Sequence, residues 1–139
     1  MPLVVGAKLE AELRDRPLAV RLRDRIAPPD ASPVPRDAGH LQPIVCTDLW
    51  YLNDDALRLQ PTIAIGRPED NAATAFLAGR LPTAFVAEDS FRIQFDPELI
   101  DLHVCLWGQT TDQTEAAIGL FIDRYLNGFL EAARRLTSG

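Results

Sequence analysis

The hydrophobic and polar positions of this chain fall into short runs of differing period. Two runs share one pattern, in which an apolar stretch ends in Gly and a helix begins a few polar residues later. The first is Thr62-Ile63-Ala64-Ile65-Gly66-Arg67-Pro68-Glu69-Asp70-Asn71. The second is Val104-Cys105-Leu106-Trp107-Gly108-Gln109-Thr110-Thr111-Asp112-Gln113. Each reads as a buried strand turning into a helix N-terminus, the unit from which α/β sheets are built. Ligands of such sheets bind at the carboxyl ends of the strands, where these turns lie. The two junctions therefore locate a candidate site without naming its chemistry.

Around them the pattern predicts the remaining elements. Residues 1–27 read as a helical pair, with Val5, Leu9 and Leu13 on one stripe and Leu18, Leu22 and Ile26 on another after Pro17. Residues 28–43 carry Pro28, Pro29, Pro33, Pro35 and Pro43, which fix φ and remove donors, so an extended linker is expected. Residues 44–139 read as an α/β domain. A strand is expected over Ile44–Leu49, then a capped turn at Asn53-Asp54-Asp55 and one or two helical turns to Leu59. Ile63–Ile65, apolar at every position, reads as a central strand. A helix follows from Pro68 to Leu81, with Ala72, Ala75, Phe76 and Gly79 as its packing face. Thr83–Ala87 and Phe91–Phe95 form a hairpin about Glu88-Asp89-Ser90, and Leu102–Trp107 is the last strand. Thr110 and Gln113 make a capping box for a final helix running from Thr111 to Arg135. Its apolar set, including Ile118, Phe121, Ile122, Leu126 and Phe129, is too broad for one contact, so it should pack on the sheet and also on the N-terminal helices or another subunit. The expected fold is α/β: a mixed four- to five-stranded sheet, two main helices packed on it and an N-terminal helical arm.

Composition narrows the class. A chain of 139 residues, 47% hydrophobic, suits one domain with a genuine core. No apolar stretch approaches the ~18 residues that cross a bilayer, and residues 1–6 lack the basic region of a secretory signal. Two cysteines do not make a disulfide scaffold, so a cytoplasmic protein with reduced thiols is expected. The net charge of −6 is uneven. Residues 1–36 hold seven basic and five acidic side chains; residues 37–139 hold seven basic and fifteen acidic. An acidic main body repels phosphate backbones, which argues against nucleic acid as a partner.

Candidate chemistry is sparse. Two helix N-termini facing one crevice would suit an anion or a nucleotide-like ligand. Neither junction has the further glycines of a dinucleotide loop or a Gly-Lys-Ser/Thr ending, and Glu69 and Asp70 would repel phosphate. Ligand contacts there would fall to Asp48, Gly66, Asn71, Gly108, Thr110 and Asp112. Cys46 and Asp48 share a strand face, as do His103 and Cys105. Were their strands neighbours in register, they would gather zinc ligands or a Cys–His nucleophile; otherwise the thiols are small core residues. Asp48, Asp54 and Asp55 read either as a Mg²⁺ site or as caps, and capping is the commoner use. No metal and no cofactor is expected. Trp50, Tyr51 and Trp107 wall a pocket or pack a rim, and His40 sits in the linker without a role.

The turn Gly66–Asn71, and more faintly 108–114, is similar to strand-to-helix turns in several prokaryotic α/β modules, some of them in surface-layer-like proteins. It covers a small part of the chain and implies no residue roles. Without a catalytic motif, the expected function is a non-catalytic, oligomerising or partner-binding domain. It would join a second copy or another protein through the last helix and the N-terminal helices, and would bind no membrane. The alternative is a small-ligand-binding protein or small hydrolase using the crevice between Gly66 and Gly108. That crevice exists only if Ile63–Ile65 and Val104–Leu106 run side by side in the same direction.

Overall fold

Four-residue apolar runs, buried on both faces, form the middle of the sheet. The computed structural model describes residues 1–28, 41–87 and 90–138. Along the chain these form strand β1 (Pro2–Val5), helix α1 (Leu9–Ile26), β2 (Ile44–Thr47), α2 (Asp48–Leu52), α3 (Asp55–Arg58), β3 (Thr62–Ile65), α4 (Ala72–Ala78), β4 (Thr83–Val86), β5 (Phe91–Gln94), β6 (His103–Gly108), α5 (Thr111–Arg124) and α6 (Leu126–Ser138). Residues 29–40 of the proline-rich linker, with His40, and Glu88 and Asp89 of the hairpin turn lie outside the described residues.

The six strands form one mixed sheet in the order β2-β1-β3-β6-β5-β4. The first four are parallel; β5 and β4 are antiparallel additions. The fold is therefore α/β as expected, with six strands instead of four or five. β3 and β6 are parallel neighbours, Ile63 opposite Val104 and Ile65 opposite Leu106, so the turns at Gly66 and Gly108 do share an edge.

The N-terminal segment departs from the sequence reading. Residues 2–5 are a central strand between β2 and β3, and residues 9–26 are one helix that runs through Pro17. They are not a helical pair standing off as an arm. Leu3, Val4 and Val5 are fully buried, so burial on both faces compensates for a strand of only four residues. α1 buries Ala11, Asp15, Leu18, Ala19 and Leu22, whereas Leu9 and Leu13 point outward.

Alternating strand residues feed two cores on opposite faces of the sheet. Leu3, Val5, Ile63, Ile65, Val104 and Leu106 pack under α1, α5 and α6. Val4, Cys46, Ala64 and Cys105 pack under α2, α3 and α4. These last four side chains are small, which lets α4 sit close with Ala73, Thr74 and Leu77 inward. The packing face expected for that helix, Ala72, Ala75, Phe76 and Gly79, is exposed. Its start also moves to Ala72, because the Asn71 side chain caps it by accepting from the backbone N–H of Ala73 and Thr74.

The last helix opens with the expected capping box of Thr110 and Gln113. It breaks at Tyr125 into α5 and α6. Unbroken, 28 residues would extend ~42 Å, well past a sheet of this width. The break lets the rings cluster, Phe95 edge-on to Phe121 and Tyr125 and Phe121 edge-on to Phe129. Leu126, Phe129, Leu130 and Ala133 are buried within the chain.

Candidate functional site

The chain leaves β1 for β2 on one side and returns across the sheet to β3 on the other. The topological switch point, where open α/β sheets take ligands, is thus the carboxyl end of β1 and β3. It lies one strand over from the β3/β6 edge predicted from the two glycine junctions. Gly6 there begins the same strand–Gly–helix pattern seen at Gly66 and Gly108.

The protein closes this switch point with its own groups. The turn after β3 crosses directly over Gly6: a Cβ on Gly6 would lie 1.9 Å from the Asp70 carbonyl oxygen, so only glycine fits. Asn71, fully buried, donates both amide hydrogens, to the carbonyls of Val4 and Ile65 at 2.9 Å each. Its carbonyl oxygen caps α4, so its hydrogen-bonding capacity is spent. Asp48, at the start of α2, accepts from Ala7 N (3.1 Å) with one oxygen and from Ala72 N (2.8 Å) with the other. Two of the predicted ligand residues therefore do converge at a helix N-terminus, and they satisfy backbone there in place of a ligand.

The neighbouring mouth, between β3 and β6, is also nearly full. Gly66 has φ +113°, and its missing Cβ leaves room for the Asp15 carboxylate, whose Oδ2 would lie 2.5 Å from such an atom. Gly108 N donates to Thr114 Oγ1 (3.1 Å), and the Thr110 hydroxyl caps α5. Arg67 straps the two turns together, donating to Asp70 (2.7 Å) and Gln109 (3.3 Å). What remains among Asp15, Arg67, Asp70, Gly108 and Thr110 is a cavity of about 20 Å³, room for one water molecule. Asp112 is exposed in the first turn of α5 and is not part of this cavity.

Asp15 was not anticipated from the sequence. It is 7% exposed, and among the described residues it receives no hydrogen bond. Burial pushes its carboxyl up to about 6, helped by the Asp70 carboxylate and opposed by Arg14 and Arg67. One signal was available: Asp15 lies four residues after Ala11 and three before Leu18, on the buried stripe of α1.

The remaining constellations come apart. Cys46, Val4, Ala64 and Cys105 form one row across four adjacent strands, so the two thiols are three strand spacings apart, about 14 Å. Burial pushes Cys46 up to about 11 and Cys105 up to about 12, which makes both poor nucleophiles. His103 sits at the amino end of β6, with its ring nitrogens facing the Asp101 carboxylate and the Arg58 carbonyl; Asp48 is at the opposite end of the sheet. Asp54 caps α3 and Asp55 pairs with Arg58. Among the described residues no three His, Cys, Asp or Glu side chains are grouped to hold a metal ion. Tyr51 is buried and bonded to Thr62, and Trp107 donates to Gln94 (2.8 Å) beneath Arg92. Trp50 is half exposed.

Large apolar side chains stand exposed at the β2 end of the sheet and elsewhere, Leu59 (82%) and Ile100 (79%) before β3 and β6 being the most exposed. Leu9 (73%) and Leu13 (69%) project from α1 on one face, Leu49 (61%) and Trp50 from α2 on the other. Among the described residues no helix is long and apolar enough to cross a membrane. Against known proteins, no family model matches the chain, and neither a curated protein nor a solved structure is found similar to it.

Proposed function

We propose that this chain is a non-catalytic α/β domain that works by docking to a protein partner, including copies of itself. One observation carries the reading. The switch point at the carboxyl ends of β1 and β3 is filled by the protein's own Asp48, Asn71 and Asp15, while large apolar side chains stand in solvent on the helices beside β2. Single exposed apolar residues are ordinary, but Leu9 and Leu13 stand one turn apart on the same outer side of α1 and form a stripe on which a partner can dock. The last helix buries Leu126, Phe129, Leu130 and Ala133 in the core and leaves Leu136 exposed at its end. Light scattering across a wide concentration range tests the reading. A mass rising above the 15.4 kDa of one chain supports it; a constant 15.4 kDa in a protein that also captures no partner removes its basis.

A second reading, a small-ligand or hydrolase site at the β3/β6 mouth, draws on Asp15. A carboxylate buried without a hydrogen bond is costly, and such groups concentrate where chemistry is done. The cavity beside it holds only one water, so this reading requires the Arg67 strap to swing away from Gln109. Replacing Arg67 with Ala and screening small anions and amines by thermal shift tests it: a ligand that stabilises the variant supports the site, and none counts against it.

A further inference from the structure

We infer that the partner of α1 is a second copy of this chain, docked antiparallel along the outer face of α1, with Leu13 on the twofold axis. The inference rests on the docking function proposed above and names its surface and partner.

Leu9, Leu13 and Pro17 recur every four residues and form one exposed stripe, on the side of α1 away from Ala11, Leu18 and Leu22. The helix is thus apolar on two opposite sides, and only one of them has a partner among the described residues. Charge decides how the other is covered. Glu10 and Glu12 occupy the first turn, and exposed Arg14 and half-buried Arg16 follow one turn later. A second α1 laid parallel would set acid against acid and base against base. Laid antiparallel, each acidic end meets a basic stretch.

An antiparallel pair also fits residue by residue. Glu12 and Arg16 lie on one flank of the stripe, already bonded at 2.9 Å, and Glu10 and Arg14 lie on the other. A twofold axis at Leu13 sets Leu9 against Pro17 of the second copy, Glu12 against its Arg16, and Glu10 against its Arg14. The same patch serves on both copies, as an isologous interface requires. With the axis at Leu13 the two helices overlap over residues 9–17 only, which buries less area than a standard stable interface, so this dimer should come apart on dilution.

Disulfide trapping reads the geometry directly, because a residue on a twofold axis faces itself. Both native cysteines are buried and do not compete. Leu13→Cys should form a covalent dimer under mild oxidation, Leu49→Cys should not, and Leu13→Glu should weaken association by at least about tenfold with unchanged circular dichroism. Association that resists Leu13→Glu, with cross-linking at Leu49→Cys or at neither position, overturns the α1 assignment and leaves the docking function standing. A wild-type chain that stays monomeric, with no cross-link at Leu13→Cys, overturns the inference; the docking function then falls too unless a different protein is captured.

Discussion

Replacing Asp15 with Asn should make the protein more stable at neutral pH. Asp15 is buried against Gly66, close to the Asp70 carboxylate, and lacks a hydrogen bond among the described residues. Its carboxyl titrates near 6 when folded, against 3.8 for the free side chain. Below about pH 3 it is protonated whether folded or unfolded and costs nothing. Between about 3 and 6 the unfolded chain releases the proton while the folded chain keeps it, so stability falls as pH rises. Above 6 the full penalty is present. A shift of two units corresponds to about 3 kcal/mol, and the water-sized cavity at the carboxylate trims this to about 2 kcal/mol. Asn imitates the protonated side chain and removes that penalty. Urea unfolding of both proteins should show Asp15→Asn more stable by about 2 kcal/mol at pH 7.5, with the difference vanishing near pH 3. Equal stability at pH 7.5, or a less stable variant, would refute the claim that this carboxylate is buried at a cost.

Other outcomes follow from the closed switch point and the inert core. Asn71→Ala removes the side-chain donors to the Val4 and Ile65 carbonyls and uncaps α4, and should cost about 3–5 kcal/mol in urea unfolding. Gly66→Ala forces a side chain to φ +113° and onto Asp15; a loss of about 2–4 kcal/mol is expected, and adding Asp15→Ala should recover part of it by removing the clash while leaving the backbone strain. Cys46 and Cys105 should be silent to a thiol reagent in the native protein and react only at the rate of unfolding, because burial raises both.

The sequence carries some of this architecture openly and hides the rest for identifiable reasons. Ile63–Ile65 and Val104–Leu106 are short, wholly apolar and followed by Gly, and they are the parallel neighbours that pattern suggests. Leu3-Val4-Val5-Gly6 bears the same signature, but the Val5, Leu9, Leu13 spacing imitates a helix across its end. On α1 that spacing misleads twice, because its leucines face solvent while Asp15 faces the core. On α4, small residues at nearly every position erase the periodicity that would orient the helix. Asp48 and Asn71 were visible as polar residues at strand ends and do converge. What the sequence could not show is that backbone groups, not a ligand, are what they bind. The separation of Cys46 from Cys105 depends on strand order, which local pattern does not encode.

Native mass spectrometry of the purified protein tests the central claim most directly, since it reports subunit count and retained small molecules together. Docking between copies predicts a dimer in exchange with the 15.4 kDa chain, with no small molecule retained. A monomer that carries a bound small molecule would contradict it and shift the function to the mouth beside Asp15.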